Sequence, residues 1–394
     1  MSTYLLNALH VRAGEFISLR RDIHSHPELA FEEHRTAALV ADKLRGWGYA
    51  VEIGIGGTGV VGTLMRGTGN QRLGLRADMD ALPIVEASGV EWASQHPGLM
   101  HACGHDGHTA MLLAAARHLA EPGQFNGTLN LIFQPAEEGG GGALRMMDDG
   151  LFERFPCDAI FAMHNMPGVP QGQLVFRDGA AMASSDYATV HLTGVGGHGA
   201  MPHRANDPVV AAASIVMALQ TIVSRNVDPQ QMAVVTVGAL QAGKANNVIP
   251  AEATLEISVR SLDRAVRVLL EQRIKALISA QAESFGVQAR IAWRQGYAVL
   301  VNAPAPTNFA RQVAVDLVGP NQVTLQGPAL TGSEDFAFML ERVPDSYLLI
   351  GNGDEHDPLA TSACMVHNPG YDFNDRNIGT GSAYWVALAE RFLQ

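Results

Sequence analysis

One short segment of the chain, residues 100–108, concentrates side chains that bind metals. Its sequence, MHACGHDGH, holds one of only three cysteines, three histidines and an aspartate. Thiolate, imidazole and carboxylate groups ligate transition metals, and Gly104 and Gly107 allow the backbone to bend until such groups converge. The apolar run 111–116 follows at once, so the segment predicts a metal-binding loop that opens a helix. The alternative is a polar N-terminal turn whose histidines only cap and hydrogen-bond.

Carboxylates follow two further runs that are rich in β-forming residues. Glu137 and Glu138 come after the run 129–133 and are followed by four glycines. Adjacent glutamates at a strand end can divide the work, one binding a metal and the other deprotonating a metal-activated water. A solvated surface turn is the alternative for such a pair. Asp78 and Asp80 follow the run 73–76, and one of them can orient a metal ligand from behind.

Composition restricts the class of protein. A chain of 394 residues with 47% hydrophobic and 17% charged residues predicts two domains with a sizeable core. The net charge of −12 argues against nucleic acid and anionic membranes as partners. Three cysteines are too few and too odd in number for a disulfide framework. Since we find neither a signal peptide nor an apolar run long enough to span a bilayer, we expect a cytoplasmic enzyme acting on a small molecule.

The first part of the chain alternates helical and β patterns. This order predicts an α/β domain whose mixed sheet has a largely parallel core. The predicted helices cover 13–24 and 32–47, and the predicted strands cover 51–53, 59–64, 73–76, 129–133 and 159–163. Ligands of such sheets bind beyond the carboxyl ends of strands. We place Asp78, Asp80, Glu137, Glu138 and His164 at such ends, and therefore in one shared site.

The middle of the chain has a different pattern. Residues 185–294 follow the order β-α-β-β-α-β, which is the ferredoxin-like α+β arrangement. Since α/β patterning resumes afterwards, this segment is predicted to be an inserted domain. The catalytic domain is then formed by residues 1–184 and 295–394.

Short motifs along nearly the whole chain resemble those of the M20 family of metallopeptidases. The resemblance is to its amidohydrolase branch, which contains N-acyl-amino-acid hydrolases, hippurate hydrolases and plant auxin-conjugate hydrolases. In chain order the motifs are RRDIH (20–24), DMDALP (78–83), HACGHDGH (101–108), QPAEEG (134–139), MHN (163–165), GGHG (196–199), GSEDF (332–336) and VHNP (366–369). Each motif is weak alone, whereas the ordered set is specific.

The resemblance implies a centre of two divalent metal ions in each subunit. Glu137 is the implied catalytic base, and Asp80 is implied to support the site from behind the ligands. Related peptidases have a histidine ligand at the position of Asp78 and a carboxylate at that of Cys103, and this chain departs from both. A thiolate suits zinc but leaves manganese, cobalt and nickel open. The implied ligands are Cys103, His105, Glu138, His164 and His367.

The resemblance also assigns roles to the inserted domain, as a lid and as a dimerisation domain of a homodimer or higher oligomer. His198 is implied to stabilise the oxyanion, and a surface loop histidine is the alternative. Asn247 and Arg260 are implied to hold the substrate carboxylate, and arginine suits this task through its bidentate fork. Glu334 is implied to lie near the substrate or to be structural. The remaining residues are expected to be structural: His24, His26, His101, His108, His203, Cys157 and Cys364.

The predicted reaction is hydrolysis of the amide bond of an N-acyl amino acid, with an N-benzoyl or N-acetyl group. Its products are a carboxylic acid and a free amino acid. One alternative is a dipeptidase or a deacetylase of an N-acetyl biosynthetic intermediate. The other is a non-catalytic binding protein, which predicts a missing base or ligand, and none is missing here.

Overall fold

The computed structural model describes residues 2–122, 125–353 and 364–394, and it divides into two compact units. The first unit consists of Met1–Gly179, Val301–Pro328 and Asp335–Gln394, and the second of Ala180–Leu300 and Ala329–Glu334. The predicted inserted segment 185–294 lies within the second unit. That unit also contains the short segment that ends at Glu334, which we had expected in the catalytic domain. The backbone of Ala183 donates to Leu330 and Gly332 over 3.1 and 2.8 Å, which ties this segment to the second unit.

The elements of the described residues are as follows. The helices are α1 (Ser2–Ser25), α2 (His34–Gly46), α3 (His105–Leu119), α4 (Gly142–Asp148), α5 (Leu151–Arg154), α6 (Pro208–Asn226), α7 (Arg264–Ser284), α8 (Pro304–Val318), α9 (Phe336–Arg342) and α10 (Asn377–Phe392). The strands are β1 (Ala50–Ile55), β2 (Gly59–Arg66), β3 (Arg72–Asp78), β4 (Gly127–Gln134), β5 (Ala159–Pro167), β6 (Leu174–Val175), β7 (Gly179–Met182), β8 (Ser184–Thr193), β9 (Gly197–His198), β10 (Ala233–Ala242), β11 (Val248–Ile249), β12 (Glu252–Ser261), β13 (Gln288–Gln295), β14 (Leu300–Asn302), β15 (Val323–Thr324) and β16 (Ser346–Gly353).

The first unit contains a mixed sheet in the order β1-β2-β4-β3-β5-β16-β6-β15. Its central strands β4, β3, β5 and β16 run parallel, whereas β1, β2 and β6 are antiparallel to their neighbours towards the centre. The parallel strands are buried almost throughout, as expected where both faces of a sheet are covered. The predicted α/β class with a largely parallel core is confirmed.

Helix α3 packs against strand β3 and against α1 and α10. Its apolar residues, with Leu75 of β3 and Trp385 of α10, belong to the main hydrophobic core. Full burial of a leucine or methionine side chain of this helix contributes about 1.5–3 kcal/mol. Helix α1 begins at Ser2, so its predicted start at residue 13 was wrong. Leu9 is buried and Leu5 packs against the same core, which extends the helix by three turns.

The second unit contains an antiparallel sheet in the order β10-β12-β8-β13. Burial alternates along β12, and its inward residues pack with those of α6 and α7. Strand order and chain order together are those of the predicted ferredoxin-like arrangement.

Helix α6 is long and apolar enough to cross a membrane by length and composition, so our expectation that the chain has no such run was wrong. One face of the helix packs against β10 and β12, and its buried residues include Ala211, Ile215 and Leu219. The apolar character of this face serves the core of the second unit.

Candidate metal centre

The structure brings all five predicted metal ligands together within the first unit. Cys103, His105 and His164 offer ligand atoms that lie within 4.8 Å of one another, as do Cys103, Glu138 and His367. Cys103 therefore belongs to both groups. A third group joins His105 and Glu138 to the predicted base, Glu137.

Four separate parts of the chain position these side chains. Cys103 lies in the loop before α3, His105 is the first residue of that helix, and Glu138 lies in the loop after β4. His164 lies inside β5 and not beyond its end, so that part of our prediction was wrong. The ladder between β5 and β16 continues as far as Pro167, which keeps His164 within the strand. His367 has a φ of 67°, a backbone conformation that residues other than glycine rarely adopt.

Hydrogen bonds orient two of the three predicted imidazole ligands. His105 Nδ1 lies 2.9 Å from the carbonyl oxygen of Asp80 and 3.2 Å from its Oδ1. His105 Nε2 is buried without a hydrogen-bond partner among the described residues. His164 Nδ1 donates to the carbonyl of Asn165 over 2.6 Å, and its Nε2 lies 3.3 Å from Cys103 Sγ. An imidazole that donates from one nitrogen to a carbonyl or carboxylate presents the other to a metal.

The charges of the cluster fit a bound cation. Burial and the nearby carboxylates of Glu138 and Glu137 raise the pKa of the Cys103 thiol well above its usual range. Burial acts to lower the pKa of His105, but the carboxylates of Asp78 and Asp80 raise it to about 10. A divalent ion would take the place of both protons, since metals bind thiolate and neutral imidazole. One thiolate, three imidazoles and one carboxylate form a donor set suited to zinc and its transition-metal neighbours.

Asp80 connects the helix and the loop that carry two of these ligands. Besides its contacts with His105, its Oδ2 accepts a hydrogen bond from the backbone N–H of Glu138 over 2.9 Å. The side chain is buried. This arrangement is the one expected of a carboxylate that orients ligands from behind.

Asp78 and His108 form a pair beside the cluster. His108 Nδ1 donates to Asp78 over 2.6 Å, and its Nε2 accepts from the backbone N–H of Asn165 over 2.9 Å. Both ring nitrogens are thus engaged. Asp78 also accepts from Arg76 over 2.7 Å. Burial acts to raise the pKa of Asp78, but the charges of His105, Arg76 and His108 hold it well below its usual range.

The sequence reasoning missed several residues that hold the site in shape. Asn165 donates to the carbonyl of Cys103 over 2.6 Å and accepts from Tyr371 over 2.7 Å. A Cβ atom at Gly104 would lie 2.3 Å from the Asn165 amide nitrogen, so this position requires glycine. Asp335 accepts from the Gln134 side chain over 2.8 Å and from the Ala143 backbone over 2.9 Å, which fixes both ends of the loop that carries Glu137. Asn165 and Asp335 lie in motifs that we quoted, which was the available signal, whereas Tyr371 lies outside them.

The predicted substrate-binding residues lie in the second unit. His198 is exposed, and its Nδ1 accepts from the Ala200 backbone over 3.0 Å, so a neutral ring carries its proton on Nε2. The carbonyl of Asn247 accepts from Gly199, next to His198, over 2.8 Å. Arg260 donates to Ser333 and to Tyr187 over 2.9 and 3.2 Å. Glu334 is buried.

Fold and site together define a hydrolase whose α/β sheet carries a cluster of metal-ligating side chains. The model of peptidase family M20/M25/M40 matches residues 74–391, and the chain belongs to that family. It is 45% identical over 381 residues to a hippurate hydrolase of Campylobacter jejuni, covering 97% of each chain. It is 37% identical to an N-acetyl-L-cysteine deacetylase of Bacillus subtilis, covering 96% of this chain and 88% of the relative. The solved structure of a dinuclear metal-binding M20 peptidase from Bacillus subtilis matches with a TM-score of 0.81 and 30% identity, covering 98% of this chain and 99% of the other.

Proposed function

We propose that this protein is a metal-dependent amidohydrolase that cleaves N-acyl amino acids, with N-benzoyl and N-acetyl compounds as its substrates. The observation that carries the proposal is the convergence of five ligand side chains beside Glu137. The names of the hippurate hydrolase and the N-acetylcysteine deacetylase support a substrate in which an acyl group is joined to an α-amino acid.

Two divalent ions held by Cys103, His105, Glu138, His164 and His367 would polarise the scissile carbonyl and lower the pKa of the attacking water. Glu137 removes one proton from that water as its oxygen bonds to the carbonyl carbon. As the C–N bond breaks, Glu137 passes the proton to the leaving nitrogen, which becomes the free amine. The products are the carboxylic acid and the amino acid.

The roles of the second unit stay predictions. We propose that His198 donates from Nε2 to the developing oxyanion. We further propose that Arg260 and Asn247 bind the free carboxylate of the substrate, with Glu334 near it. The enzyme is proposed to be a cytoplasmic homodimer or higher oligomer, and sedimentation of the purified protein tests its assembly.

A substrate panel with a matched pair of variants tests the proposal. The enzyme, loaded in turn with zinc, manganese, cobalt or nickel, is assayed on N-benzoylglycine, N-acetyl amino acids, their carboxamides and dipeptides. We expect the N-acyl amino acids to react fastest and the carboxamides, which lack the charged carboxylate, to react slowly. Faster turnover of dipeptides would instead identify a dipeptidase.

The pair of variants changes two adjacent residues of one type. Glu137→Gln is expected to keep the metal content of the wild type and to lower kcat by about 10²–10⁴-fold. Glu138→Gln is expected to lower the metal content itself, because it removes a ligand. Near-normal turnover by Glu137→Gln would reject Glu137 as the base.

A further inference from the structure

Two strained residues of the first unit share one hydrogen-bond acceptor. Phe31 and Ala136 have φ values of 65° and 53°, in the left-handed region that residues other than glycine avoid. Such a conformation costs about 1–3 kcal/mol and persists only where the surroundings hold it. The backbone N–H groups of Phe31 and Ala136 donate to the same atom, Oε1 of Glu33, over 3.1 and 2.9 Å.

Glu33 is a fully buried carboxylate with 0% exposure. Its second oxygen accepts a hydrogen bond from the Thr58 hydroxyl. Within the described residues no lysine, arginine or histidine forms an ion pair with it. Burial raises the pKa of Glu33, and the hydrogen bonds from Thr58 and the backbone oppose that rise. Burying a carboxylate without a neighbouring cation costs free energy unless hydrogen bonds compensate for the lost water.

The start of helix α2 does not account for Glu33. Glu33 precedes the helix, yet its side chain makes no capping hydrogen bond. Glu28 performs that task, since its two carboxylate oxygens accept from the backbone N–H groups of Arg35 and Thr36, each over 2.8 Å. The Glu33 carboxylate is therefore directed towards the loop after β4.

In that loop, the residues before and after Glu137 both donate backbone hydrogen bonds to buried carboxylates. Ala136 N–H donates to Glu33, and Glu138 N–H donates to Asp80 over 2.9 Å. These two bonds fix the backbone immediately before and after Glu137. The Phe31 ring also lies close to this loop, since a Cβ atom built at Gly140 would be only 3.2 Å from it.

We propose that Glu33 is a positioning residue for the catalytic base, which holds Ala136 in its strained conformation and thereby aims Glu137. The proposal rests on the proposed function, in which Glu137 deprotonates the attacking water. Glu33 itself touches neither the ligand cluster nor the reacting atoms in this role.

Four variants separate positioning from a general structural role. Glu33→Ala removes the acceptor, and we expect kcat to fall by about 100-fold with an unchanged KM and unchanged metal content. Glu33→Gln keeps an oxygen that can accept from Ala136 and is expected to recover most of that loss. Glu28→Ala removes two backbone bonds at the same helix start and is the matched control, with kcat near that of the wild type. Ala136→Gly combined with Glu33→Ala is expected to recover part of the lost kcat, since glycine adopts a positive φ without cost.

Hydrogen exchange of the metal-free protein gives a readout that does not depend on activity. We expect the amide of Ala136 to exchange at least tenfold faster in Glu33→Ala than in the wild type and in Glu28→Ala. Unchanged exchange, or a kcat for Glu33→Ala no lower than that of Glu28→Ala at equal folded fraction, would overturn the proposal. If the wild type cleaves no amide, the proposed function fails, and the exchange data still decide whether Glu33 holds Ala136.

Discussion

His105 is oriented by Asp80, which lies against its Nδ1 atom through both a backbone carbonyl at 2.9 Å and a carboxylate oxygen at 3.2 Å. This contact leaves Nε2 buried and without a hydrogen-bond partner in the described part of the chain, among the other ligand atoms. The same carboxylate accepts from the Glu138 backbone, so one residue controls ligands from two separate segments. The geometry of the ligand cluster thus depends on a residue that lies outside the candidate ligand groups.

Asp80→Ala is therefore expected to weaken metal binding by about 10–100-fold, because His105 and Glu138 lose a shared support. Titration of the metal-free protein with zinc, followed calorimetrically, measures this change. Asp42→Ala, at an exposed position of α2, is the control and is expected to bind as the wild type does. Equal metal affinities for the two variants would show that Asp80 does not support the metal ligands.

Metal binding is expected to release protons. Burial and neighbouring carboxylates keep the Cys103 thiol protonated at pH 7. Nearby carboxylates also raise the pKa of His105 to about 10. Both groups must therefore lose a proton to bind a cation at pH 7. Calorimetric titrations in buffers of different ionisation enthalpy count the protons released. Cys103→Asp, whose carboxylate is already ionised at pH 7, is expected to release about one proton fewer. An unchanged count would show that Cys103 is not a ligand.

The buried pair of His24 and Asp106 predicts a loss of stability in alkali. Burial acts to lower the pKa of His24, but the charge of Asp106 and hydrogen bonds to Asp106 and Glu86 raise it to about 9. Because this value exceeds the 6.5 of an unfolded histidine, the contribution is complete below pH 6.5 and is lost as the pH rises through 9. The shift corresponds to about 3 kcal/mol. Denaturant unfolding between pH 6 and 10 measures it, and His24→Gln is expected to flatten the slope over that interval.

Much of the site is readable in the sequence, because ligand chemistry is a property of residue type. The family resemblance of the motifs implies Cys103, His105, Glu138, His164 and His367 as ligands, and the structure places them together. The boundaries of helices and strands are harder to predict from the sequence. Helix α1 starts earlier than its charged pattern indicates, because Leu5 and Leu9 find partners only in the folded core. The strand that holds His164 runs past it, because its neighbour β16 continues the ladder.

The residues proposed to position the catalytic base could not be predicted from the sequence. Glu33 and Ala136 are separated by 103 residues, and nothing in their local sequence shows that one holds the other. A strained φ and a shared acceptor exist only in three dimensions.

The sequence by itself determined the family, the order of its elements and the types of side chain that could bind a metal, since these follow from chemistry and local pattern. The tertiary structure decided which nitrogen of His105 and of His164 faces the ligand cluster and which one is supported by a hydrogen-bond partner. It also decided that His108 donates to Asp78 and accepts from Asn165, which leaves it no lone pair for a metal. The physical reason is that a tautomer is set by hydrogen-bond partners, and these partners come from strands and loops far apart in the chain.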